Sequence, residues 1–471
     1  MPTPLPNYQS YKNLPPLAGL CTMEEAIKPG LPLDECVRRL KRIHYAFKRL
    51  HEILTARITS EPIYELKTAF AHHAYLCAEH ATAIRQRVSE MREPPLGLDE
   101  VPHPALEVFF DEIRAAPTTE ELVAGIRTSL QFVDDAITNY QWHTHPLTDR
   151  PSKRLLRFAN MEIDDMKAFH DAALSAVDPA DSTSEWQLFL VAILRVTGGI
   201  DGVPTFFDEP IVRRYSATPY TYDPIPKRDE RFTDPWNQGV NAEAFLYHEA
   251  MPAHAKVVMM LFKRLREIDV PEMMASIIAQ TPGKPWGYYR DMSRQVWDEA
   301  RHAMMGEVGF VALGVDWTTA KITWNWSYRL NTECTPLERH GVLFFIEQGL
   351  MPKTGKRYEF EVATESGIPL AATIQDFDWA DEVLHSQIGR EWYVKQFGGL
   401  QEALKYGDAA WTKITSNWTT VKEQGLTRHD NWWPAVYTQA CTAAGRTPEA
   451  EVLGYDTTYE GKRADLKAVG E

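Results

Sequence analysis

Two segments, WDEARHAM at 297–304 and ADEVLHSQ at 380–387, repeat one arrangement of acid and imidazole, and no other feature of the chain restricts its fold as much. In each, a glutamate precedes a histidine by three positions, giving the pairs Glu299–His302 and Glu382–His385. Residues three apart share one face of an α-helix, so a carboxylate and an imidazole can reach the same ion. A third such match, Glu100–His103, contains Pro102 and sits in a proline-rich loop. With 15 histidines in the chain, about one match arises by chance, and this one is assigned to it. Asp298 and Asp381 each precede a motif glutamate, where an acid is a natural acceptor for the N–H of a ligand histidine.

Two such helices need one glutamate from each of two more to complete a four-Glu, two-His dinuclear shell. The periodicity predicts four helices in this half, over Ala242–Arg266, Trp286–Gly306, Pro336–Gln348 and Leu370–Phe397. In the first, Glu243 follows Asn241 in the opening turn, where a carboxylate suits the helix dipole. Glu249 lies deeper, with Phe245, Leu246 and Ala253 at helical spacing, and is the better ligand candidate. Pro252, one turn on, should kink that helix or free a carbonyl. In the third helix, Thr335-Pro336-Leu337-Glu338 reads as a capping box. Glu347 instead follows an apolar run in the last turn, where negative charge is disfavoured, so it is chosen. The linker DVPEMMASIIAQTPGKP joins the first two helices, and PKTGKRYEFEVATESG between the last two reads as a short strand or a loop.

The first half predicts helices over 33–58, Tyr64–Met91, 118–142 and Ser152–Ala176, of bundle type, with a fifth over Glu185–Arg195. A segment from Gly198 to Trp236, rich in proline and aromatics, either covers a site or joins domains. The expected organisation is an N-terminal helical domain at 1–197, a connection at 198–240, a dimetal domain at 241–399 and a helical tail at 400–471. His72, His73, Glu79, His80, Glu162 and Asp165 form no helical Glu-x-x-His pair, so the first domain is expected to be metal-free.

The net charge of −15 argues against nucleic acid or an anionic membrane as partner. Five scattered cysteines, Cys21, Cys36, Cys77, Cys334 and Cys441, read as reduced thiols of a cytoplasmic protein. No secretory signal and no apolar run of about 18 residues is recognised.

The segments FLYHEAMPAH, DEARH, FIEQGLMP and DEVLHSQIGREW resemble the ferritin-like diiron-carboxylate superfamily, nearest to a bacterial ferritin-like domain family. DEARH is also similar to bacterial multicomponent hydrocarbon monooxygenases. The resemblance covers about 242–397. It implies an all-α fold in which a ferritin-like four-helix bundle carries the dinuclear site and a second bundle precedes it. It also implies the ligand set Glu249, Glu299, His302, Glu347, Glu382 and His385, and oxygen or peroxide chemistry. Carboxylate and imidazole ligation suits two iron ions, with manganese as the alternative. The expected activity is oxidation of a small organic molecule with O2, with an electron donor and an oligomeric assembly left open. Arg301 is expected to pair with an acid beside the site, and His254 is a candidate extra ligand. Tyr247, Tyr288, Tyr289, Trp297 and Trp392 read first as packing residues, with pocket lining or electron transfer as the alternative. Against the oxidase stand two other readings: iron handling or peroxide removal, and a metal-free helical interaction protein.

Overall fold

The computed structural model describes residues 8–92, 97–203, 211–415 and 418–459, and among them all regular structure is helical, with no strand. Residues 93–96 of the expected first loop, 204–210 of the expected connection, and the two ends lie outside the described residues. None of the described helices is long and apolar enough to cross a membrane. The five cysteines are free thiols, four of them buried.

The chain divides into two compact units. One comprises Met1–Leu54 and Leu76–Thr221, the other Thr55–Tyr75 and Tyr222–Glu471. The first half carries helices α1 (Met23–Ala26), α2 (Leu33–Ser60), α3 (Tyr64–Glu90), α4 (Pro104–Arg114), α5 (Thr119–His143), α6 (Arg150–Val177) and α7 (Ser184–Thr197). In α2, Val37, Leu40, Ile43, Phe47, Leu50 and Leu54 recur at three- to four-residue steps and are buried, the stripe that marks a core-facing helix. Thr118 caps α5 by accepting from the Glu121 N–H, as its sequence predicts.

The second half carries α8 (Ala242–Leu246), α9 (Ala253–Arg266), α10 (Asp269–Ala279), α11 (Trp286–Ala312), α12 (Asn325–Glu333), α13 (Pro336–Gly349), α14 (Lys356–Glu365), α15 (Pro369–Trp392), α16 (Leu400–Thr415), α17 (Trp418–Glu423), α18 (Trp433–Ala443) and α19 (Ala450–Leu453). The expected single helix over Ala242–Arg266 is two. Pro252 has extended backbone and stands as N-cap of α9. Proline lacks the N–H that would continue the ladder, and it disfavours the α conformation of the residue before it. The expected strand or loop at 352–367 is mostly α14, and the expected linker contains α10. The Thr335–Glu338 capping box is present. Trp432 and Trp433 of the tail are buried in the core beside Phe262 and Phe245.

Helices α9, α10 and α15 all pack on α11, and α13 packs on α10 and α15. The α9–α11 approach depends on small residues. A Cβ at Gly306 would meet the backbone nitrogen of Leu265 and the carbonyl oxygen of Leu261, and one at Gly309 would meet the Leu261 side chain. This close contact brings the C-terminal end of α9 beside the middle of α11. Gly306→Ala is therefore expected to destabilise the protein by about 1–3 kcal/mol in denaturant unfolding. Unchanged stability would refute the close approach.

Candidate metal centre

Four helix segments bring buried acids and imidazoles to one place. Glu299 and His302 come from the middle of α11, Glu382 and His385 from α15, and Glu347 from the last turn of α13. Each is at most 3% exposed. Ligand atoms of Glu299, Glu347, Glu382 and His385 lie within 4.8 Å of one another. The same holds for Glu267, Glu299 and His302, and for His302, Asp378 and Glu382. Glu299 and Glu382 each belong to two of these groups, so each can face two neighbouring positions. No such group among the described residues includes a residue of the first half.

Glu249 does not join them. It is exposed, in the turn between α8 and α9. The expected buried helical stripe requires a continuous helix through 249, and the break before Pro252 removes it. Glu267, the C-cap of α9, stands with Glu299 and His302 instead. His254 is also elsewhere: its Nε2 lies 2.9 Å from the Tyr437 hydroxyl and 3.4 Å from Glu449.

The two aspartates hold the histidines crosswise. Asp381 of α15 lies 3.1 Å from Nε2 of His302 on α11, and Asp298 of α11 lies 3.4 Å from Nε2 of His385 on α15. Arg301 joins them, donating to Asp298 at 2.5 Å and to Asp381 at 2.7 Å. With Nε2 fixed, each ring turns Nδ1 inward. That of His302 is 3.3 Å from Glu267 and 3.6 Å from Glu299. That of His385 is 3.3 Å from Glu299 and 3.5 Å from Glu382. Nδ1 of both histidines and Oε2 of Glu267, Glu347 and Glu382 are buried without a hydrogen-bond partner. Five such atoms in one cluster are costly unless something else engages them, and a cation fits this donor set.

Sequence reasoning missed three charged neighbours. Lys356 of α14 is fully buried, with Nζ 2.7 Å from Glu382 and 2.9 Å from Asp378. Arg264 of α9 also pairs with Asp378. Asp378, held between this lysine and arginine, makes a second layer beneath the cluster.

The electrostatics follow from crowding. Burial raises the Glu347 carboxyl well above its ordinary range, and the charges of Glu382 and Glu299 add to this. Burial also acts to raise Glu382, but Lys356 and the adjoining Glu347 and His385 hold it well below. Burial acts to lower His302, yet the surrounding carboxylates of Asp381, Glu267 and Glu299 push it up to about 10. His385 is raised in the same way, against burial, by Asp298, Glu299 and Glu382.

Beside the cluster is a cavity of about 60 Å³. Charged residues make up half of its lining, Glu299, Glu347 and Glu382 together with Lys263, Arg264, Arg266, Glu267 and Asp269, and Val270, Met273, Leu330, Val342, Ile346 and Leu350 form an apolar side. It holds more than one water-sized group. The aromatic residues near the motifs pack. Trp297 stacks on His72 at 4.3 Å, Tyr288 contacts Tyr289, His340 and Trp392, and Tyr247 stacks on Tyr358.

Removing one crosswise acid, as in Asp381→Ala, leaves Nε2 of His302 unfixed and is expected to weaken metal binding about 10–100-fold in a chelator competition. In the metal-free protein both histidines titrate above their unfolded value. The stabilisation they give is full below about pH 6.5 and is lost as pH rises through about 10 for His302. Metal-free melting temperature should therefore fall over that window. Metal binding near pH 7 should release about two to three protons, from the two imidazoles and Glu347, measured by calorimetry in buffers of differing ionisation heat. No proton release would contradict these pKa directions. Compared with known protein families, curated proteins and solved structures, the chain matches none.

Proposed function

We propose that Glu267, Glu299, His302, Glu347, Glu382 and His385 hold two metal ions, and that the protein is an oxidoreductase using them and O2 to oxidise a small organic molecule. The observation that carries this reading is the set of five buried, unpartnered ligand atoms inside overlapping acid and imidazole groups. Glu299, His302 and Glu382 each take part in two groups, so they would stand where the two positions meet. Oxygen and nitrogen donors without thiolate suit iron first and manganese second. The order Glu, Glu-x-x-His, Glu, Glu-x-x-His is that of ferritin-like carboxylate bundles, and the resemblance of the four motif segments agrees with it. When bound, such a pair of ions supplies redox chemistry with O2.

The chain's own residues have three tasks in this reading. Asp298 and Asp381 select the histidine tautomer that turns Nδ1 to the ions. Arg301 pairs with both aspartates and keeps them in register. The apolar walls around Met273, Leu330 and Ile346 exclude water and receive the substrate. That cavity favours substrate oxidation over iron storage, which needs no apolar chamber beside the ligands.

Lys356 supports a second reading. Its ammonium already sits between Glu382 and Asp378, so one ion at Glu299, Glu347, Glu382 and His385 could suffice, with the lysine standing for the other. Metal analysis of protein expressed with iron separates these. About two ions per chain are expected, with Glu299→Ala losing both, Glu267→Ala losing one and Glu249→Ala losing none. One ion per chain, unaffected by Glu267→Ala, favours the second reading. A content well below one that Glu299→Ala leaves unchanged sinks both.

A further inference from the structure

A second cavity, of about 30 Å³, shares Arg266 and Trp326 with the apolar one. Its character is opposite. Arg266, Arg329, Gln238, Thr323, Asn325 and Trp411 are among its lining residues, and no acidic side chain lines it. Both guanidinium groups are compensated behind the lining, Arg266 by Glu243 at 3.2 Å and Arg329 by Glu333 at 2.9 Å, so the chamber itself presents donors and no carboxylate. Three of its side chains also carry a buried polar atom without a hydrogen-bond partner: Nε2 of Gln238, Nε1 of Trp411 and Oδ1 of Asn325. These residues are 7%, 1% and 4% exposed. Buried polar groups of this kind are ordinarily satisfied, so three at one cavity mark a place for a polar ligand group. Two are N–H donors. The third is an amide whose oxygen and nitrogen exchange on rotation, so it too can donate.

We infer that this chamber takes the carboxylate head of an amphipathic organic acid, whose hydrocarbon part passes Trp326 into the apolar cavity beside Glu347. The unpartnered donors suit a carboxylate, which accepts up to four hydrogen bonds and offers none. Trp326 is well placed as the common wall. Its ring carries the Arg266 guanidinium at 5.3 Å and meets Trp411 edge-on at 4.7 Å. Its flat face offers apolar surface at the point where head and chain would meet. A molecule so held presents its hydrocarbon part, not its head, to the carboxylate cluster. This deepens the proposed function by naming a substrate class, and it rests on that reading for the ligand's fate but not for its binding.

The test is calorimetric titration of the full-length protein with n-octanoate, 1-octanol and octanamide. Octanoate is expected to bind at least about tenfold more tightly than the alcohol. Trp411→Phe, which keeps the ring and removes the donor, and Gln238→Leu should each weaken octanoate by about five- to thirtyfold and leave the alcohol unchanged. Glu299→Ala should abolish metal binding while octanoate still binds, so failure of the head-group site and failure of the metal centre are told apart. Equal affinity for acid and alcohol, binding of neither at millimolar concentration, or octanoate affinity unmoved in both donor variants would overturn the inference.

Discussion

The compensation of buried charge between α11 and α15 is the constraint on which the rest of the second half depends. Each helix contributes an aspartate, a glutamate and a histidine on one face, and each aspartate engages the other helix's histidine. Arg301 spans the two aspartates. An isolated buried carboxylate would take up a proton, but crossed pairing keeps the acids charged: Asp298 is held at about 2, against its burial, by His385 and Arg301. Removing one member leaves a charge unpaired in a low-dielectric interior, which is far costlier than losing a surface ion pair. The crossed geometry also fixes the register of α11 against α15, since a slip of one residue would separate both pairs at once.

Much of this was legible before any coordinates. The repeated Asp-Glu-x-x-His segments identify two helices whose faces converge, and the apolar periodicity around them requires those faces to be buried. Glu347 was legible because an acid in a last helical turn opposes the dipole without structural reward. The same reasoning applies to Glu267, at the end of α9, 32 residues before Glu299 as Glu347 is 35 before Glu382. It was passed over because Glu249 looked buried on the assumption of one unbroken helix. The error lies in the weight given to Pro252: a proline between two helical stretches starts a new helix as readily as it kinks an old one, and only tertiary packing decides which.

Lys356, Arg264 and Asp378 were illegible for a different reason. Each is an ordinary charged residue in a helical segment, with nothing in its spacing to distinguish it from a solvated one. Their burial follows from how α14 packs against both α9 and α15. The segment holding Lys356 contains glycine and proline and reads as a strand or a loop, so no helical face could be assigned to it. Long-range contacts of this sort set which charges are internal, and local pattern carries no trace of them.

Charge bookkeeping ties the second layer to the first. Asp378 is matched by Lys356 and Arg264, and Asp298 and Asp381 by Arg301 and Arg294. Beyond these pairs stand the four carboxylates of Glu267, Glu299, Glu347 and Glu382, beside the one positive charge by which Lys356 and Arg264 exceed Asp378. In the proposed reading two divalent ions neutralise these four, and both imidazoles are then neutral ligands. Without ions the same four acids are compensated by protonating both histidines and Glu347, the pattern that the pKa directions describe. In that reading one interior has two self-consistent states of near-zero charge, and protons would exchange for metal between them. A purely structural ion-pair network has no need of the metal-bound state, nor of five ligand atoms left without hydrogen bonds in the metal-free one.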